Sequence, residues 1–165
     1  MDHETLLAHI HRALETISHP RFYETERGFQ GALLAALERT IPEHVRPPGA
    51  VIEQEYQKRL GQHGINLRPD IIIHEPFDAT RHATRQDGNV AVIELKLNAS
   101  QADARSDFES MEKMMAALNY PMAIFINIAT EQTHAALVPD AARGRITCFA
   151  VSIREGRAHV IEDRT

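Results

Sequence analysis

A single cysteine, Cys148, stands among the 165 residues, so no internal disulfide can form. It lies in the apolar run Ile146 to Ile153, where a thiol is far more often core than nucleophile. No run approaches the roughly 20 apolar residues that a membrane span requires. The N-terminus, with Asp2 and Glu4, lacks the basic region that opens a secretory signal. The expectation is therefore a cytoplasmic chain with no membrane partner. A basic surplus is missing too: 18 Lys and Arg stand against 23 Asp and Glu, a formal charge of −5. That balance argues against a protein that coats nucleic acid non-specifically. The ten histidines are scattered, with no HExxH and no Cys/His pairing, which removes the usual zinc signatures. No P-loop, GxGxxG or GxSxG segment is present, and there are no internal repeats, low-complexity tracts or long linkers.

What is present fits one globular domain spanning residues 1–165. Its hydrophobic content of 43% and charged content of 25% are ordinary for a soluble fold. Leu6, Leu7, Ile10, Leu14 and Ile17 recur at helical spacing and predict a helix from Met1 to Ser18, capped by Asp2 and stopped at His19-Pro20. A second helix is predicted from Thr25 to Thr40, with Phe29, Leu33, Leu37 and Ile41 as its apolar stripe. Ala50 to Leu60 predicts a half-exposed strand, and Gly61 to Asn66 a hairpin connection into a strand at Arg68 to His74. After a long loop from Glu75 to Gly88, Val90 to Leu97 predicts the next strand. Ser100 caps a helix running to about Asn119, with Asp103 in a weak capping box. Strands follow at Met122 to Ile128, about Arg145 to Ile153 and Arg157 to Glu162, the last two joined by a tight turn at Glu155-Gly156. Helix, helix, three strands, helix, three strands implies an α/β chain of the α+β type: a central mixed sheet with helices on both faces.

Two of these strands break the rule that a buried strand stays apolar. Alternation puts Val92, Glu94 and Lys96 on one face of their strand, and Asp70, Ile72 and His74 on one face of the other. A charge buried alone there would cost several kcal/mol, roughly, so a partner, a metal or water is required. If the two faces align, Asp70, Glu94 and Lys96 converge. Paired carboxylates suit a hard divalent cation such as Mg²⁺. A metal-bound water loses its proton easily, the metal neutralises charge on a phosphoryl oxygen, and an adjacent lysine can orient the water. Glu26 sits at the start of the second helix's inward stripe, and Gln30 borders it. Arg81, His82 and Arg85 in the long loop are candidate substrate contacts, and so is Arg68 beside the acid.

Pro69-Asp70 followed by Glu94-Leu95-Lys96, with 24 positions between the acids, resembles the PD-(D/E)XK, or restriction endonuclease-like, nuclease superfamily. The pattern covers roughly Thr25 to Ile128. The resemblance implies a restriction-endonuclease-like core and a hydrolase using Mg²⁺ or Mn²⁺ on nucleic acid, DNA first. In it Asp70 and Glu94 are metal ligands, the Leu95 carbonyl is a third, and Lys96 is the catalytic lysine. Glu26 is the matching candidate for a further helix acid, with Glu55 on the first strand as its rival. The alternative is a nuclease-fold module without turnover that binds nucleic acid or protein as an accessory subunit. A homodimer or a protein partner would then help grip the substrate.

Overall fold

The computed structural model describes residues 2–54 and 65–165. Three helices pack on a six-stranded mixed sheet, an α+β arrangement. The first, α1 (His3–Glu15), is capped by the Asp2 carboxylate, which accepts the Thr5 N–H at 2.8 Å. Past His19 the chain makes a 3-10 turn, Pro20–Tyr23, that the apolar spacing did not signal. Thr25 caps α2 (Glu26–Thr40), whose stripe of Phe29, Leu33, Leu37 and Ile41 is fully buried. The strands are β1 (Val51–Gln54), β2 (Ile71–His74), β3 (Asn89–Leu97), β4 (Met122–Ile128), β5 (Ile146–Arg154) and β6 (Arg157–Arg164). The expected first strand ran on to Leu60, and that portion, with most of the expected hairpin connection, lies outside the described residues.

The sheet order is β1-β2-β3-β4-β5-β6. Pairing is antiparallel from β1 to β3, parallel from β3 to β5 and antiparallel again to β6. Parallel neighbours need a crossover. Between β3 and β4 it is α3 (Gln101–Leu118); between β4 and β5 it is an irregular segment holding two short 3-10 turns, Ala135–Leu137 and Asp140–Ala142. Glu155 and Gly156, both at positive φ, make the two-residue turn from β5 to β6. No helix among the described residues is long and apolar enough to cross a membrane.

Strand alternation splits the core in two. Ile71, Ile73, Ala91, Ile93 and Leu95 join the layer under α1 and α2, while Ile72, Val92, Ala123, Phe125 and Cys148 join the layer under α3. Helices therefore cover both faces. Cys148 is fully buried, and burial pushes its thiol up to about 12, far from a nucleophile's range. The start of α3 is set by a reciprocal box: Ser100 Oγ accepts the Asp103 N–H at 3.2 Å and the Asp103 carboxylate accepts the Ser100 N–H at 3.0 Å. Ser100→Ala is expected to cost about 1 kcal/mol, lowering the melting temperature by about 2–4 °C in a calorimetric scan.

Candidate functional site

The site forms where β2 stops and β3 does not. Ile71 is the first residue of β2 and pairs with Ile93, so Glu94 to Leu97 extend past the end of their neighbour. The N–H groups of Leu95 and Leu97 point toward that missing strand and need other acceptors. Asp70 Oδ2 takes the Leu95 N–H at 2.8 Å, and Glu26 Oε2, from the first turn of α2, takes the Leu97 N–H at 3.2 Å. Two carboxylates thus cap the exposed edge of β3. Gln30, buried one turn further along α2, donates from Nε2 to the Asp70 carbonyl at 2.7 Å and fixes the backbone that carries the acid.

The Asp70 and Glu94 carboxyls lie side by side, within hydrogen-bond reach of one another. Burial raises the Glu94 pKa well above the usual carboxylate range, and the negative charges of Asp70 and Asp107 push the same way. Burial also raises Asp70; the Leu95 N–H opposes that rise and the Glu26 charge adds to it. Lys96, next on the same face of β3, points toward α3, where its Nζ lies 4.0 Å from Asp107 Oδ2. Burial works to lower the lysine's pKa, but Asp107, Glu26, Asp70 and Glu94 together outweigh it and hold the ammonium above its ordinary value. Four carboxyls face one ammonium, so full ionisation would leave an excess of three negative charges. Such a site holds protons or attracts a cation.

The donors fit Mg²⁺. All are oxygens, the preference of a hard cation. Two carboxylates this close repel each other when both are ionised, and a dication relieves that repulsion. Strand geometry turns the Leu95 carbonyl to the same edge as its N–H, beside Asp70. Among the described residues no group of three or more His, Cys, Asp or Glu side chains is placed to hold a metal ion. Two carboxylates and a carbonyl are fewer donors than a closed site, and a Mg²⁺ ion held by them would keep several waters.

The expected residues divide by position. Asp70, Glu94, Lys96 and Glu26 come together, and Arg68 sits exposed two residues before Asp70. Glu55 lies outside the described residues. Arg81 and Arg85 are not at this place. Their loop leaves β2 after His74, the end opposite Asp70, on the order of 15 Å away at strand rise. The loop is also self-contained: Arg81 Nη1 and His82 Nε2 bind the two Glu75 carboxylate oxygens at 2.5 and 3.1 Å, and the Arg85 guanidinium lies 4.7 Å from the Phe77 ring centre. His74, which alternation placed on the Asp70 face, is 2.6 Å from Glu53 on β1, past a register shift between Ile73 and His74. Asp107 was missed, although it breaks the same rule as Glu94. It lies between Ala104 and Met111 at spacings of three and four, an acid on an otherwise apolar stripe.

Comparison of the chain with protein-family models, with curated proteins and with solved structures found no match in any of the three.

Proposed function

We propose that the chain is a Mg²⁺-dependent nuclease, hydrolysing phosphodiester bonds of nucleic acid, with a restriction-endonuclease-like core and DNA as the first substrate to test. The observation that carries this reading is the meeting of Asp70 and Glu94 where β3 runs on past the end of β2, with Lys96 next on the same face. Asp70, Glu94 and the Leu95 carbonyl would hold the ion. Mg²⁺ bound there supplies a water of lowered pKa and neutralises charge on a phosphoryl oxygen. The chain's own groups do the rest. Lys96, kept protonated, orients the attacking water and stabilises charge that develops on the phosphate. Glu26 anchors the end of β3, and Gln30 keeps Asp70 from rotating away.

The test is cleavage of labelled DNA and RNA in Mg²⁺, Mn²⁺ and chelator, with Asp70→Ala and Lys96→Ala as controls. Metal-dependent cleavage lost in both variants supports the proposal, and cleavage that survives both overturns it. Calorimetric titration separates the alternative: a chain that takes up no Mg²⁺ or Mn²⁺ at millimolar concentration is an accessory binding module instead.

A further inference from the structure

Asp107 is costly where it stands. Its side chain is 19% exposed, and Oδ2 is buried with no hydrogen-bond partner among the described residues. The helix gains nothing from it, since Asp107 is in neither the first turn nor the capping box of α3. On either side of it, Ala104, Phe108 and Met111 pack against the sheet. The compensating feature is the Lys96 ammonium at 4.0 Å. Lys96 also has Asp70, Glu94 and Glu26 within its field, and a four-carbon stem long enough to bend toward them. An ammonium lying on the Asp70–Glu94 pair would neutralise it directly and take the place of a cation.

Resting on the metal-dependent reading above, we propose that Asp107 is a positioning residue that draws Lys96 toward α3, keeping its ammonium off the Asp70–Glu94 pair and beside the metal rather than in place of it. The geometry is suited to this role. Asp70 lies at the end of β2, whereas Asp107 approaches from the helix layer over the Val92–Glu94–Lys96 face. Lys96 therefore has an acid in the helix layer that competes for its ammonium, and the buried Oδ2 of that acid has no hydrogen-bond partner among the described residues.

The experiment is a double-mutant cycle on Mg²⁺ affinity, measured by calorimetry on the full chain. Asp107→Asn keeps the shape and removes the charge. It is expected to weaken Mg²⁺ binding about tenfold, the usual scale for a residue that supports a metal site indirectly. The decisive arm is the Lys96→Ala background, where Asp107→Asn should then have almost no effect. A loss of the same size in that background would mean that Asp107 acts by charge alone, and overturns the proposal. A second readout uses the metal-free protein. The chain has three lysines, Lys58, Lys96 and Lys113. The Lys96 side-chain nitrogen signal in a lysine-labelled sample should shift in Asp107→Asn and stay put in Glu109→Gln, a change on the exposed face of α3. A Lys96 signal unmoved by Asp107→Asn also overturns it. The outcomes separate the two claims. Coupled Mg²⁺ affinity without cleavage of any nucleic acid rejects the nuclease and leaves Asp107 its role, while additive affinities with metal-dependent cleavage do the reverse. A chain that binds no Mg²⁺ loses both.

Discussion

Replacing Asp70 by alanine is expected to lower Mg²⁺-dependent cleavage by about a thousandfold or more, and Lys96→Ala by about a hundredfold to a thousandfold, the range seen when a group that stabilises transition-state charge is removed. The two losses should have different origins. Asp70→Ala removes a ligand and also leaves the Leu95 N–H without its acceptor, so about 1–3 kcal/mol of stability should go with it. Asp70→Asn separates these effects: the amide oxygen can still accept the Leu95 N–H, and only the charge is gone. Asp70→Asn should therefore melt close to wild type, bind Mg²⁺ poorly and cleave as badly as the alanine variant. Lys96→Ala, by contrast, should retain metal binding and lose turnover, with kcat falling and KM nearly unchanged. Circular dichroism, calorimetry and a cleavage assay on the same preparations check all three, and an Asp70→Asn variant that cleaves like wild type would end the assignment.

The second large effect is on stability against pH. Glu94, Asp70 and Asp107 are all raised in the folded chain, Asp107 to about 6, each mainly by burial. Unfolded, these carboxyls return to about 4. Between those values the folded chain holds more protons than the unfolded one, so stability falls as pH rises through the window. The metal-free protein should be more stable near pH 5 than near pH 8. Mg²⁺ needs the deprotonated carboxylates, so its stabilisation runs the other way. At pH 8 and a concentration one hundred times Kd it should return about 2.7 kcal/mol, or about 5–10 °C in melting temperature. The shift should shrink toward pH 5 and vanish at every pH in an Asp70→Asn, Glu94→Gln double variant. Melting curves from pH 5 to 8, with Mg²⁺ or chelator, test this; curves that are flat in pH and indifferent to Mg²⁺ would contradict it.

Much of this architecture could be read from local patterns, because the patterns report burial. Phe29, Leu33 and Leu37 repeat at helical spacing and are buried on α2; Met122 to Ile128 is apolar but for Asn127 and is buried on both faces. Alternation also placed Glu94 and Lys96 together, and the register Ile72–Val92 brings Asp70 onto their face. What escaped depended on relations between elements. Asp107 reaches Lys96 across a helix–sheet contact that no spacing within α3 encodes, although its place on the apolar stripe was a signal open to reading. The arginines of the long loop were read by charge alone. A loop that follows His74 must emerge at the end of the hairpin away from Asp70, so hairpin polarity already set them apart. His74 escaped because the shift between Ile73 and His74 breaks strict alternation.

Pro69 gives the end of β2 a further meaning. Continuing the antiparallel ladder by one bonded pair beyond Ile71–Ile93 would set Pro69 opposite Leu95. Such a pair exchanges two hydrogen bonds. Proline has no N–H to give, so Leu95 cannot receive the second of them and its carbonyl stays open. The first bond goes instead to the carboxylate of the very next residue, Asp70. Proline and aspartate thus work as one unit of strand termination: one withholds a donor and the other supplies an acceptor, which is where the proposed site would take the Leu95 carbonyl as a ligand. A non-proline residue at position 69 could zip the ladder shut by one step, and the site would be closed by its own sheet.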